Sequence, residues 1–282
     1  MTLIDGKKIA AEIRAELKSR TAEYERAYGR KIGLAVVLIG DNPASQVYVR
    51  NKIKGCEEAG IRSFAHYLPA DVREEDALAL ISSLAEDDRV DGILLQLPLP
   101  KYLNEEKLLS AIPACKDVDG FCAENVGKLT LNKREGTVAC TPFGVMELLR
   151  RYGISAAGKC AVVVGRSNIV GRPMALLLLN ADATVTVCHS KTKNLAEECA
   201  RADILVAAIG KPKFITADMV KEGAVVIDVG MNRDEEGKLC GDVDFDSVKE
   251  KCSYITPVPG GVGPMTIAML LTNTVEAAER KK

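Results

Sequence analysis

The stretch from residue 160 to residue 179 has the ingredients of a phosphate-binding turn. An apolar run, Cys160–Val164, is followed by Gly-Arg-Ser-Asn-Ile-Val-Gly-Arg-Pro at 165–173 and then by a leucine-rich segment at 174–179. Backbone N–H groups and aligned peptide dipoles at a helix N-terminus favour negative charge. The pattern predicts a dinucleotide site, although Ser167 replaces the second glycine of the usual fingerprint and Gly171 comes one position late. The alternative is an ordinary strand-to-helix turn without a ligand.

The residues after the next apolar run indicate which dinucleotide would bind. Enzymes that use NAD usually carry an acidic residue about 20 positions after the glycines, where it binds the ribose hydroxyls. Here Cys188 is followed by His, Ser, Lys, Thr and Lys, and the first acid is Glu197. Hydroxyl groups and cations suit a 2′-phosphate, and Arg166 could reach the same group. The sequence favours NADP, unless Lys191 and Lys193 simply form a solvated loop.

A lysine in the first half of the chain is a candidate base. On the predicted helix Pro43–Ala59, Lys52 lies at the edge of the apolar stripe, away from the other charged side chains, and Tyr48 is one turn earlier. The stripe consists of Val49, Ile53, Cys56 and Gly60. Loss of hydration disfavours the charged form of an ammonium group, and enzymes use this to make a lysine a base near neutral pH. The alternative is a lysine whose head reaches water along an apolar rim.

An amide and an acid are predicted near the same place. Gln96 lies near the carboxyl end of an apolar run, where open α/β sheets form their ligand crevice. The loop that contains Asp117, Asp119 and Gly120 follows the next predicted helix, so its acids would face that crevice. A solvated turn with Asp before Gly is the alternative.

The elements that must position these residues alternate between strand and helix. Apolar runs predict strands at 33–40, 63–68, 92–97, 160–164, 184–188, 204–207, 224–229 and 254–256. Helical spacing lies between them, at 9–28, 43–59, 74–86, 104–112, 141–152, 173–180, 195–200, 216–220 and 264–282, and the segment before residue 140 is irregular. Strands that are apolar throughout indicate parallel sheets covered on both faces. The prediction is an α/β protein of two modules with a cleft between them, at 1–140 and 141–263, the second a Rossmann-like parallel sheet.

Composition excludes several classes of function. The 282 residues include 38 Lys and Arg against 39 Asp and Glu, so no overall field would recruit nucleic acid or a membrane surface. No signal segment or membrane span is evident, so the cytoplasm is expected. Nine dispersed cysteines indicate reduced thiols, and two histidines outside any ligand pattern argue against a metal site.

Five motifs in one chain and in one order make the pattern specific. They are Tyr48-x-x-x-Lys52, Gln96-Leu-Pro-Leu-Pro100, Lys116-Asp-Val-Asp-Gly-Phe121, Gly165-Arg-Ser167 with Val-Gly-Arg-Pro173, and Pro257-Val-Pro-Gly-Gly-Val-Gly-Pro-Met-Thr266. Over almost its whole length the chain resembles the bifunctional methylenetetrahydrofolate dehydrogenase/methenyltetrahydrofolate cyclohydrolase family. The resemblance implies NADP-dependent oxidation of 5,10-methylenetetrahydrofolate to 5,10-methenyltetrahydrofolate, then hydrolysis to 10-formyltetrahydrofolate, in one-carbon metabolism and purine biosynthesis.

The resemblance also implies roles for individual residues. Lys52 would assist water attack and proton transfer, Gln96 would hydrogen-bond Lys52, Tyr48 would stack on the folate, and Asp119 would hold the pterin ring. The family's nucleotide-binding positions match Gly165, Arg166, Ser167, Ser190 and Met231, the last through its main chain. A substrate-side loop matches Pro259, Gly260, Gly261 and Val262.

The family is typically a homodimer through the second module, with the last helix, 264–282, returning to the first. Two rival functions are an NADP-dependent two-domain oxidoreductase acting on an amino acid or a hydroxylated ring, and a non-catalytic nucleotide-sensing module. Either would share the Gly165 turn, but neither would need Tyr48, Lys52, Gln96 and Asp119 together.

Overall fold

The structure is a computed structural model that describes residues 1–133 and 135–281. Its helices are α1 Gly6–Tyr28, α2 Pro43–Ala59, α3 Glu74–Glu86, α4 Glu105–Ser110, α5 Ala123–Thr130, α6 Cys140–Arg151, α7 Gly171–Asn180, α8 Leu195–Ala200, α9 Phe245–Val248 and α10 Val262–Arg280. Its strands are β1 Thr2–Leu3, β2 Gly33–Ile39, β3 Arg62–Leu68, β4 Gly92–Leu95, β5 Cys160–Val164, β6 Thr184–Cys188, β7 Ile204–Ala207, β8 Val225–Asp228, β9 Asn232–Arg233, β10 Leu239–Cys240 and β11 Tyr254–Ile255. Lys282, the last residue of the predicted terminal helix, lies outside the described residues.

The chain divides into two compact units. One, here called the Lys52 unit, comprises Ala11–Cys140 and Ile267–Lys282, and the other, the Gly165 unit, comprises Met1–Ala10 and Thr141–Thr266. The first ten residues differ from the predicted module 1–140, because β1 pairs in parallel with β11. That pairing joins residues about 250 positions apart, so no local pattern could have indicated it.

The Lys52 unit is built on a three-stranded parallel sheet in the order β3-β2-β4. All seven residues of the central strand β2 are buried, as expected for a strand covered on both faces. One face carries Ala35, Val37 and Ile39 into a core that also contains Ile81 of α3 and Leu108 of α4. The ladder ends where the Gln96 N–H donates to the Val37 carbonyl at 2.9 Å, just before Pro98, which has no N–H to offer.

Helix α2 has the bounds that its local signals predict. The Asn42 side chain accepts a 3.1 Å hydrogen bond from the Ser45 N–H, and Pro43 occupies the first turn. Gly60 ends the helix in the left-handed conformation, with φ of 74°. These caps set the two ends of the helix that carries Lys52.

The Gly165 unit contains a six-stranded sheet in the order β1-β11-β8-β7-β5-β6, and every pairing in it is parallel. The predicted α/β class with a Rossmann-like parallel sheet is confirmed. Strand β5 has β6 on one side and β7 on the other, so the direction of winding reverses at its carboxyl end. In open α/β sheets such a switch point is where ligands bind.

Short elements are the ones that sequence patterns missed. Helix α5 lies in the stretch expected to be irregular, and its N-cap is the Cys122 thiol, which accepts from the Asn125 N–H at 3.4 Å. Strands β9 and β10 form a two-residue antiparallel pair, and residues 217–219 form a 3₁₀ turn instead of an α-helix. Among the described residues, no helix combines the length and apolarity needed to cross a membrane.

Candidate active site

Lys52 points into the protein. Its residue is only 8% exposed, and its Nζ donates a 2.9 Å hydrogen bond to Oε1 of Gln96. The side chain therefore does not extend along a rim to water, which was the alternative that helix position left open. An ammonium group has three N–H donors. The hydrogen bond to Gln96 uses one of them, so the others can point toward another group.

Gln96 is oriented by its own backbone neighbourhood. Its Nε2 donates to the Leu97 carbonyl at 2.5 Å, so the amide oxygen is the end that faces Lys52. The residue is 9% exposed and leaves the sheet directly after β4. The carboxyl end of this parallel strand thus supplies the acceptor that holds the lysine.

The loop of residues 116–120 carries two acids, Asp117 and Asp119, which have different roles. Asp117 is buried, and it accepts from the Gly120 and Cys122 N–H groups and from the Asn125 amide at 2.9 to 3.0 Å. This carboxylate builds the turn. Gly120 has φ of +71°, and a Cβ there would lie 2.6 Å from the Val138 carbonyl carbon, so only glycine fits.

Asp119 is the acid available for chemistry. Burial raises the pKa of its carboxyl to about 6, with the Lys52 charge lowering it and the Asp117 charge raising it. The residue as a whole is partly buried, and its carboxyl group is surrounded by protein. The Cys140 Sγ lies 3.9 Å from Oδ1 of Asp119. Burial raises the pKa of that thiol well above its usual value, so it remains a thiol.

Tyr48 lies one helical turn before Lys52 on α2 and is 39% exposed. Burial of its phenol raises the pKa, which keeps the hydroxyl protonated. A half-exposed ring beside a buried amine can offer one face to a planar ligand.

Asn273 on α10 is a buried residue that the sequence analysis did not single out. Its Nδ2 donates at 2.9 Å to the carbonyls of Val118 and Val138, and it lies 3.5 Å from Cys140 Sγ. The amide thereby holds the chain on both sides of the turn that bears Asp119. The only available signal was a polar triplet, Thr-Asn-Thr, inside an apolar helix.

In the Gly165 unit, the glycine turn follows β5 at the switch point. Gly165 has φ of +129°, and a Cβ there would lie 2.2 Å from the Ala208 carbonyl oxygen. A Cβ on Gly171 would lie 2.2 Å from the Gly165 oxygen. The backbone approaches itself so closely that side chains are excluded, as a phosphate-binding turn requires. Ser167 Oγ accepts from the Val170 and Gly171 N–H groups at 3.2 and 3.3 Å, which leaves its own proton to donate.

Cations and hydroxyls lie beside that turn. Val164 and Cys188 are paired in register, so the chain leaves β5 and β6 at neighbouring points of one sheet edge. Arg166 and Ser190, each two residues further on, are both exposed. The Thr192 hydroxyl accepts from the His189 N–H at 2.8 Å and shapes the loop that carries the exposed Lys191 and Lys193. This donor set fits the 2′-phosphate of NADP.

The remaining predicted residues also belong to the Gly165 unit. Met231 is 50% exposed after β8, and its Cε would lie 3.2 Å from a Cβ on Gly263. The loop that contains Pro259, Gly260, Gly261 and Val262 joins β11 to α10, and the Lys7 N–H donates to its Gly260 carbonyl at 2.9 Å. Within the described parts of the chain, no group of three or more His, Cys, Asp or Glu side chains could hold a metal ion.

The structure thus brings the predicted residues together in two sets. Tyr48, Lys52, Gln96 and Asp119 belong to the Lys52 unit. The Gly165 unit contains Gly165, Arg166, Ser167, Ser190, Met231, Pro259, Gly260, Gly261 and Val262.

Comparison with known proteins gives one family for both units. The family "Tetrahydrofolate dehydrogenase/cyclohydrolase, catalytic domain" matches residues 4–119, and "Tetrahydrofolate dehydrogenase/cyclohydrolase, NAD(P)-binding domain" matches residues 139–282. The bifunctional protein FolD of Campylobacter concisus is 59% identical over 281 residues, covering 100% of this chain and 99% of that protein. The crystal structure of the bifunctional enzyme FolD of Campylobacter jejuni has 54% identity and a TM-score of 0.98, with both chains covered completely. The Trypanosoma brucei enzyme, solved with NADP cofactor and inhibitor, has 42% identity and a TM-score of 0.95, with 100% of this chain and 98% of that chain covered.

Proposed function

The chain belongs to the tetrahydrofolate dehydrogenase/cyclohydrolase family, and from that premise we propose how its residues divide the work of two reactions. It is a bifunctional enzyme that oxidises 5,10-methylenetetrahydrofolate to 5,10-methenyltetrahydrofolate with NADP and hydrolyses this product to 10-formyltetrahydrofolate. The two rival functions, an oxidoreductase for an amino acid or hydroxylated ring and a nucleotide sensor, are not favoured, because the match covers the whole chain.

The Gly165 unit would hold NADP, which accepts a hydride from the methylene carbon. The glycine turn fits the pyrophosphate because no Cβ blocks its backbone. Arg166 and Ser190 would bind the 2′-phosphate, Ser167 would donate its hydroxyl proton to a phosphate oxygen, and the Met231 main chain would contact the nicotinamide end. Residues 259–262 would form the substrate-side loop. The folate nitrogens stabilise the cation that forms when the hydride leaves, so this step needs no acid or base from the protein. Most of the rate enhancement of hydride transfer therefore comes from positioning the substrate against the cofactor.

The Lys52 unit would be the folate-binding, catalytic domain. Asp119 would accept hydrogen bonds from the N–H groups of the pterin, for which an ionised carboxylate is the stronger acceptor. The Tyr48 ring would stack on the planar ligand and position it. These two assignments place the one-carbon bridge of the substrate near the Lys52 amine.

The hydrolysis needs proton handling, and Lys52 is the group that can supply it. Water adds to the methenyl carbon and loses one proton. When the ring opens, a folate nitrogen gains a proton and the hydroxyl group on the one-carbon unit loses its own as the formyl C=O forms, so the hydrolysis releases one proton overall. An uncharged Lys52 can take the first proton and give it back, and a cationic substrate favours that uncharged form, because like charges repel. Gln96 fixes the direction of the Lys52 amine by accepting its hydrogen bond, and it adds no charge of its own.

The observation that carries this mechanism is the buried Lys52 Nζ at 2.9 Å from Gln96 Oε1. Purified protein with 5,10-methylenetetrahydrofolate and NADP should develop the methenyl absorbance in acid-quenched samples. Supplied 5,10-methenyltetrahydrofolate should lose that absorbance at neutral pH faster than in buffer alone. Absence of both signals would overturn the function, and equal kcat/KM with NAD and NADP would overturn the role of the cations.

We also propose that the enzyme is a cytoplasmic homodimer whose 10-formyl product serves purine biosynthesis. Support comes from the family resemblance and, for the compartment, from nine cysteines that form no disulfide among the described residues. Sedimentation equilibrium tests the dimer: a mass near 30.3 kDa, that of a single chain, would contradict it.

A further inference from the structure

A fully buried carboxylate connects two loops of the Gly165 unit. Asp242 is 0% exposed, and its Oδ2 accepts from the backbone N–H groups of Ile209 at 2.6 Å and Gly210 at 3.1 Å. Its Oδ1 accepts from the Lys211 N–H at 2.9 Å and from Asn232 Nδ2 at 2.8 Å. Four donors from two separate loops converge on one side chain.

A second buried acid holds the first in place. Asp228 Oδ1 accepts from the N–H groups of Gly230 and Asp242, and its Oδ2 accepts from that of Val243, each at 2.9 Å. A Cβ on Gly241 would lie 1.8 Å from Asp228 Oδ2, so only glycine can precede Asp242. The position of Asp242 is therefore fixed by its own backbone as well as by its donors.

The loops that Asp242 joins lie where a parallel sheet binds its ligand. Residues 209–211 follow the carboxyl end of β7, and Asn232, the first residue of β9, comes four positions after the carboxyl end of β8. The segment before the first of these loops also supports the glycine turn, because the Ala208 carbonyl oxygen lies 2.2 Å from where a Gly165 Cβ would be. A displacement of residues 208–211 would therefore move the surface against which that turn rests.

We propose that Asp242 is a positioning residue for NADP, whose carboxylate holds residues 209–211 and Asn232 in the conformations that the nucleotide site requires. This inference rests on the proposed function, since it assigns the nucleotide to the Gly165 unit. Asp242 does not touch the reacting atoms, and it acts through the backbone of residues 209–211 and the side-chain amide of Asn232.

The geometry makes a specific prediction for the isosteric amide. In Asp242→Asn, one of the two oxygens becomes an NH₂ group, whichever way the amide turns. Either Ile209 and Gly210 or Lys211 and Asn232 then lose their acceptor and face a donor instead. A buried donor left without an acceptor is unfavourable, and a loop can avoid that cost by moving.

The test compares Asp242→Asn with Asp203→Asn in the full-length enzyme. Asp203 is a matched control in the same unit, because its carboxylate also accepts a backbone N–H, that of Cys160 at 2.9 Å, but at the amino end of β5. For each protein, NADPH binding is measured by fluorescence titration, cyclohydrolase turnover without nucleotide, and unfolding by thermal melting. We expect Asp242→Asn to weaken NADPH binding at least tenfold and to keep cyclohydrolase turnover within twofold of wild type. Asp203→Asn should keep both within twofold.

Unchanged NADPH binding in Asp242→Asn would overturn the inference, as would an equal loss in Asp203→Asn or an equal loss of cyclohydrolase turnover. If Asp242→Asn fails to melt cooperatively, Asn232→Ala replaces it, since the carboxylate then keeps its three backbone donors. That variant should weaken NADPH binding at least threefold, and no change would overturn the inference. A wild-type enzyme that bound no NADPH would overturn the cofactor assignment itself, which is a different failure.

Discussion

Lys52 and Gln96 come from different elements and meet end to end, with 2.9 Å between Nζ and Oε1. The other end of the Gln96 amide is committed to the Leu97 carbonyl, so the contact has one orientation. A neutral acceptor therefore holds the amine, whereas the two nearby acids, Asp117 and Asp119, lie in a separate loop. The amide therefore fixes the direction of the amine without adding a charge of its own.

Replacement of Lys52 by methionine should abolish most of the hydrolysis. We expect cyclohydrolase turnover to fall at least about 100-fold, because positioned proton transfer contributes about 10²–10⁴-fold. Dehydrogenase turnover should fall less, since hydride transfer needs no protein base. Loss of methenyl absorbance, followed by stopped flow, measures the first and the NADP-dependent assay measures the second. Lys54→Met, an exposed position on the same helix, is the control and should match wild type. Full cyclohydrolase turnover in Lys52→Met would rule out the assigned role.

A charge at position 96 should move the pH profile of hydrolysis. Gln96→Glu puts a carboxylate 2.9 Å from the amine and favours its protonated form. Cyclohydrolase kcat at pH 7 should drop about tenfold or more and recover in part at higher pH. The kcat is measured from pH 6 to pH 10 in wild type and variant. A profile with the same shape and midpoint as wild type would contradict the electrostatic part of the mechanism.

Folate binding should weaken in acid because of Asp119. Burial raises the pKa of its carboxyl to about 6, so the accepting carboxylate dominates above pH 6 and is lost as the pH falls below it. We expect kcat/KM for 5,10-methylenetetrahydrofolate to fall about tenfold for each pH unit below this value. Burial also raises the pKa of Asp228 to about 6, so the variant Asp119→Asn distinguishes the two. For Asp119→Asn, kcat/KM should not change with pH around pH 6. If the decrease below pH 6 remained in this variant, a group other than Asp119 would be responsible for it.

The choice of cofactor should depend on Arg166. Arg166→Gln removes a cation that we assign to the 2′-phosphate, so KM for NADP should rise about tenfold while KM for NAD changes less than twofold. Initial rates with both cofactors give the comparison. Arg201→Gln, an exposed position in the same unit, provides the control for a loss of charge alone. If KM rose equally for NAD and NADP in Arg166→Gln, the Arg166 side chain would not be the group that recognises the 2′-phosphate.

Asn273 should matter to both stability and substrate binding. Asn273→Leu keeps the branching of the side chain but removes the donor to the carbonyls of Val118 and Val138, which we expect to cost about 2 kcal/mol of unfolding free energy. The turn bearing Asp119 loosens with it, so KM for the folate should rise. The control is Thr274→Val, which removes only a hydrogen bond within the helix, to the Leu270 carbonyl. Denaturant unfolding and steady-state kinetics measure both effects, and equal effects of the two variants would argue against a role for Asn273 in the turn.

Local signals account for the parts of the fold that the sequence predicts well. The Asn42 cap and the Gly60 stop directly flank α2, and apolar runs predict eight of the eleven strands in the described part of the chain. Short elements such as β9 and β10 offer no such pattern, because two residues establish no periodicity. Their existence depends on what packs against them.

The candidate site was predictable by residue type but not by role. The motif around Asp117 and Asp119 draws attention to both acids, yet only the hydrogen bonds show that Asp117 builds the turn. Asn273 lies 155 residues from Val118, and Asp242 lies 33 residues from Ile209. Local spacing does not reveal which residues are in contact at such separations, since a segment by itself does not identify the partner.

The pairing of β1 with β11 makes two segments about 250 residues apart depend on each other. A fragment beginning at residue 141 would keep the strands from β5 onward, yet it would leave the outer side of β11 bare. Exposed strand edges invite pairing with other chains. Thr2 and Leu3 therefore form the border of a sheet whose other strands all lie after residue 159, so a fragment that begins at residue 141 cannot complete that sheet.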